Sequence, residues 1–130
     1  MAKTFLPLLA EREGSSYLFI TGSLGERKNV ELSMESDSTL LSVVMATLYS
    51  AIHVLQFEWQ DKPVRINEFR IGMRVVHDEQ ADPAGQPYPS YPANDFGRII
   101  AGMGLASELR AQTVSCAQPQ YKEVLDKYGV

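Results

Sequence analysis

The consecutive residues Tyr17-Leu18-Phe19-Ile20-Thr21 combine aromatic, aliphatic and β-branched side chains with no charge, between Ser15-Ser16 and Gly22. A short run that is apolar at almost every position has no wet side, which suits a strand buried on both faces. Strands of that kind occur in sheets covered by helices, so the rest of the chain is read for alternating helices and strands.

That alternation is present. Residues 3–12 read as a short helix, closed by Gly14 in the manner of a C-cap. Residues 22–37 are polar and loop-like. Asp37-Ser38 offers an N-cap, and a long helix runs from 38 to about Trp59. Its apolar members Leu40, Leu41, Val43, Val44, Met45, Leu48, Ile52, Val54, Leu55 and Phe57 cover most of the circumference, so it calls for neighbours on more than one side. Pro63 stops it. Val64–Ile71 (VRINEFRI) is a second strand, closed by Gly72. Residues 77–94 hold Pro83, Pro87, Pro89 and Pro92, enough to exclude regular structure. Asn94 or Asp95 then caps a helix over Phe96–Leu105, and Gln112–Cys116 is a third strand. The tail, 119–130, forms a helical turn or two from Pro119. The order α-β-α-β-α-β plus a tail predicts an α/β fold with a three-stranded parallel sheet and right-handed crossovers. All 130 residues fall in a single domain.

Composition narrows the function. A net charge of -4 and a pI near 5.1 argue against nucleic acid and anionic membrane as partners. Cys116 is the one cysteine, so no internal disulfide and no cysteine-built metal site can form, and a reducing, cytoplasmic setting is expected. Residues 1–12 are interrupted by Pro7 and carry no small-residue cleavage site. The segment 39–59 includes Ser42, Thr47, Ser50, His53, Gln56 and Glu58; it reads as a buried soluble helix and not as a membrane span.

Taken in order, FLPLLAEREGSSYLFITGS, the long helix, VRINEFRIG, NDFGRIIAGM and RAQTVSC resemble the last three strands of the short-chain dehydrogenase/reductase family, over roughly residues 3–116. The resemblance implies a half-Rossmann fold. It places Ser23 where the family has its catalytic serine, Asn67 at the asparagine of a VRVN-like strand, and Gly72 at the glycine of a Pro-Gly turn, with Ile71 in place of the proline. Counting back from Asn67 with the family's spacing puts Leu41 at the tyrosine and Met45 at the lysine of Tyr-x-x-x-Lys. In the family, the tyrosine exchanges a proton with the substrate oxygen, and the lysine lowers its pKa by placing a positive charge beside the phenolate. Leu41 and Met45 can do neither. The cofactor half is also lacking, because Thr21-Gly22-Ser23-Leu24-Gly25 follows a strand but completes no G-x-G-x-x-G. The expectation is a pseudoenzyme that binds neither a nicotinamide cofactor nor a metal, and is no self-sufficient dehydrogenase.

Some residues still invite an acid/base reading. Tyr49 and His53 lie four apart on one helix face, although packing against a neighbour explains them as well. His77 opens the proline-rich loop, where a general base or a solvated loop entrance are the alternatives. Tyr88 and Tyr91 in PYPSYP would close over a small apolar ligand together with Met45 and Leu41, or simply stiffen a surface loop. Ser23 has no histidine at a recognisable spacing. The resemblance implies a missing first half, hence an exposed strand edge at 17–21 and apolar helix surface. The principal expectation is a non-catalytic subunit or scaffold in an obligate oligomer, either a homodimer or a heteromer with a full-length family member. The alternative is a small cofactor-independent isomerase, dehydratase or cyclase using Ser23, Tyr49, His53 and His77.

Overall fold

The computed structural model describes residues 2–23, 39–85 and 89–130. Helix α1 (Ala2–Ala10) turns into strand β1 (Ser16–Gly22). Helix α2 (Thr39–Glu58) and strand β2 (Arg65–Gly72) follow. Short strands β3 (Arg74–Val76) and β4 (Ser90–Pro92) bracket a 3-10 turn at Asp78–Gln80. Helix α3 (Ala93–Leu105), strand β5 (Thr113–Ala117), a second 3-10 turn (Gln118–Gln120) and helix α4 (Tyr121–Tyr128) complete the described chain.

The fold is α/β. Strands β1, β2 and β5 form a three-stranded parallel sheet with β2 in the centre. The register sets Tyr17 opposite Ile66 and Phe69 opposite Val114. Since successive strand residues face opposite sides, this divides the core in two. On one side Tyr17, Phe19 and Ile66 pack with Leu6 and Leu9 of α1 and with Leu55 and Trp59 at the end of α2. On the other, Leu18, Phe69, Ile71, Val114 and Cys116 pack with Phe96, Ile99 and Met103 of α3 and Val124 and Tyr128 of α4. The sheet is thus the middle of three layers, and strands with apolar residues on both faces are what that position requires.

Two expectations need correction. Helix α2 is not a buried helix with several neighbours. It buries one stripe, Ser42, Tyr49, Ile52 and Gln56, and leaves Leu40, Leu41, Val43, Val44, Val54 and Phe57 exposed. By length and composition alone Leu40–Glu58 is also long and apolar enough to cross a membrane, with Glu58 its one Asp, Glu, Lys or Arg. The stretch 77–94 does contain regular structure. Strand β4 pairs in parallel with β3, with Val75 opposite Tyr91, and Pro92 is tolerated because β4 is an edge strand of this two-stranded sheet. The loop between them is closed by Asp82 and Ser90: the Asp82 N–H donates to Ser90 Oγ at 3.1 Å and the Ser90 N–H to the Asp82 carbonyl at 3.0 Å. Helix α3 therefore begins directly after Pro92, and the Asn94 N–H donates to Asp78 Oδ1 at 2.9 Å. The expected cap at Asp37-Ser38, the polar stretch from Leu24 onward, and Tyr88 lie outside the described residues.

Candidate functional site

In parallel sheets, ligands bind beyond the carboxyl ends of the strands. Here those ends are Ser23 after β1, Gly72 on β2 and Ala117 on β5. They converge closely: a Cβ added at Gly72 would lie 3.0 Å from Ser23 Oγ and 3.4 Å from Ala117 Cβ. The cavity left between Ser23, Arg70, Gly72, Ser115, Cys116 and Gln120 measures about 40 Å³. That is room for a water or two, whereas small-molecule pockets run to roughly 300–1,000 Å³.

Beneath it lies a polar cluster on the α2 side of the sheet. Glu68 and Arg70 are two apart on β2 and therefore share a face. The register puts Thr113 opposite Glu68 and Thr21 opposite Arg70. Glu68 has no exposed surface. Its carboxylate accepts from Thr21 Oγ1 at 2.6 Å, Thr113 Oγ1 at 3.0 Å, Arg70 Nε at 3.1 Å and Arg70 Nη2 at 2.8 Å. Burial alone would raise its pKa; the hydrogen bonds from Arg70, Thr21 and Thr113 and the positive charge of Arg70 outweigh burial and hold it below the ordinary carboxylate value. The Arg70 guanidinium carbon lies 3.6 Å from the centre of the Tyr49 ring, a cation–π contact from the overlying helix. Tyr49 donates its hydroxyl proton to the Gly22 carbonyl. Further down α2, Gln56 Nε2 donates to the Gln112 carbonyl at 3.1 Å. The inner stripe of α2 is thus polar once every two turns, at Ser42, Tyr49 and Gln56, and Tyr49 and Gln56 tie the helix to the ends of neighbouring strands.

The residues singled out in the sequence are dispersed. Ser23 lines the small cavity, and Tyr49 reaches the carbonyl of the residue before it. His53 is exposed on α2 although Tyr49, four residues earlier, is buried. His77 is exposed after β3. Tyr91 is buried in the α3–α4 core, its ring centroid 4.4 Å from that of Tyr121. Met45 is half-buried on α2 and Leu41 is exposed. Asn67 is fully buried and binds the turn before β5: its Nδ2 donates to the Leu109 carbonyl at 2.9 Å, and the Gln112 N–H donates to its Oδ1 at 3.0 Å. Cys116 is buried, and burial pushes its thiol up to about 11, so it stays protonated and inert at neutral pH. Among the described residues, no group of three or more His, Cys, Asp or Glu could hold a metal ion.

Glu68, Arg70, Thr21 and Thr113 did not stand out in the sequence. The signal available was a pair of opposite charges at i and i+2 inside a strand that also carries Ile66 and Phe69. Among the described residues, two larger concavities lie elsewhere. One, about 750 Å³, opens at the amino ends of the strands and includes Arg65 and Arg110. Both guanidinium groups are bonded to main-chain carbonyls: Arg65 to Gly14, Gly104 and Ala106, Arg110 to Gln60, Lys62 and Val64. They satisfy carbonyls at and just beyond the ends of α3 and α2, a structural use of charge. The other, about 490 Å³, runs beside β5 and α4. No protein family's model matches the chain, and no curated protein or solved structure is significantly similar to it.

Proposed function

We propose that this chain is a non-catalytic subunit or scaffold, derived from the short-chain dehydrogenase/reductase pattern, that acts only as part of an oligomer. One observation carries the reading. Among the described residues, the polar side chains at the carboxyl end of the sheet are bonded to one another and to main chain, around a cavity of about 40 Å³, well below the size of a small-molecule pocket. A proton-transfer site needs a group within hydrogen-bonding reach of a bound substrate. The Tyr49 hydroxyl donates its hydrogen bond to the Gly22 carbonyl, and the two histidines stand exposed elsewhere on the fold. The surface offers the complementary argument. Phe5 and Leu8 on α1 and Leu40, Val43, Val44, Val54 and Phe57 on α2 are exposed, an apolar area of the sort that marks interaction sites.

Calorimetric titration with NAD and NADP tests the first half: no binding heat is expected, and micromolar affinity or turnover of a carbonyl substrate would overturn it. Sedimentation velocity at micromolar concentration tests the second, with an associated species expected and a stable folded monomer as the contrary result.

A further inference from the structure

We infer that β1 is a self-complementary edge, through which two copies of this chain join their sheets. This inference rests on the proposal that the chain acts by association, and it names the partner as a second copy. Among the described residues, β1 pairs with β2 on one side and with no strand on the other. Strand edges left open in solution are usually blunted by lysine, proline or a bulge. Ser16–Gly22 has none of the three, and it carries Ile20, 54% exposed, in mid-strand.

The order of residues in β1 also reads alike in both directions about Phe19. In an antiparallel pairing centred there, Ser16 meets Gly22 of the second copy, Tyr17 meets Thr21, Leu18 meets Ile20, and Phe19 meets Phe19. Small residues oppose small ones, an aromatic opposes a β-branched residue, and aliphatic opposes aliphatic. These are the cross-strand combinations that stabilise antiparallel pairs. No charge is placed opposite a like charge. The two Leu18–Ile20 contacts would cover Ile20. Residues directly opposite in an antiparallel pair point to the same face, so the two-fold axis runs perpendicular to the sheet. The result is a closed, isologous dimer with one continuous six-stranded sheet, in which α1 and α2 of both copies share a side.

Ile20→Lys tests the idea at a half-exposed position. Wild type is expected to sediment as a dimer, and the variant to dimerise at least about tenfold more weakly, having lost both Leu18–Ile20 contacts and gained two nearby positive charges. Circular dichroism shows whether the variant is folded. Should it unfold, hydrogen exchange on wild type decides: β1 amides are expected to gain protection as concentration rises through the dimer transition. A wild-type dimer that Ile20→Lys leaves intact, or whose β1 amides exchange independently of concentration, overturns the β1 edge and leaves association by another surface standing. A wild-type monomer overturns both.

Discussion

Glu68 illustrates how much of this fold depends on one side chain. It is the shared acceptor for two threonines on flanking strands and for the arginine two residues on, so it fastens β1 and β5 to β2 on the α2 side. Its folded pKa is depressed, so it stabilises the native state above the ordinary carboxylate range of about 4, and that contribution is lost as pH falls through the folded value. Glu68→Gln is expected to cost about 3 kcal/mol near neutral pH, because Arg70 loses its buried counter-charge. Urea titrations of both proteins should show the gap narrowing as pH falls below the ordinary carboxylate range; a gap independent of pH would mean the carboxylate is not ionised in the fold. A second position carries backbone strain. Ala111 has φ +51°, in the left-handed region, while its N–H bonds the Ile66 carbonyl at 3.1 Å. Relief of that strain exceeds the added flexibility of glycine, so Ala111→Gly is expected to raise stability by about 0.5–1 kcal/mol in the same titration. Neither residue was legible in the sequence. A left-handed alanine has no signature of its own, and Glu68 reads as an ordinary strand polar residue until the register brings Thr113 opposite it.

Elements were more legible than residues, to the extent that local forces set them. The apolar runs at 17–21 and 64–71 locate β1 and β2 to within a residue, because a buried strand declares itself in its own composition. The start of α3 does not. Asn94 and Asp95 are ordinary capping residues, yet α3 begins ahead of both, and the Asn94 N–H is satisfied by Asp78, brought alongside by the β3–β4 pairing. Strands β3 and β4 were invisible for the same reason, since three residues hold together only through a non-local partner. Asp78→Ala should therefore behave as the loss of an N-cap, lowering stability by about 1 kcal/mol, with Asp78→Asn losing less. Packing between elements sets a sharper limit at Gly102. A Cβ there would lie 1.7 Å from the Tyr128 carbonyl oxygen, which is backbone and cannot swing aside. Gly102→Ala must push α4 off α3, at a cost of about 1–3 kcal/mol. Amides of Tyr121–Tyr128 should then exchange faster than those of β2; uniform acceleration would argue that α4 is not separately displaced.

At the scale of the whole molecule, the parallel sheet was readable, and the distribution of apolar surface was only half so. The composition of α2 foretold a helix wanting neighbours, but the described structure covers one stripe and gives that stripe the polar residues Ser42, Tyr49 and Gln56. Apolar side chains are left outside on α1 and α2 and at Ile20 of β1, which among the described residues pairs on one side only, so in the proposed assembly burying them would add to stability. Association of that kind is linked to folding by mass action, because a partner that binds the native state and not the unfolded chain stabilises it in proportion to the logarithm of concentration. For a two-fold dimer, each tenfold rise in concentration adds about 1.4 kcal/mol per dimer, or about 0.7 per protomer. In a domain of this size that moves the thermal midpoint by about 2–4 °C. Differential scanning calorimetry of wild type over a hundredfold concentration range should show this drift twice over, and Ile20→Lys should unfold at a lower temperature, with its drift confined to the concentrations at which the weakened dimer still forms. A wild-type midpoint that stays fixed would mean that the exposed apolar faces are tolerated by a free monomer, and the association reading would fall with it.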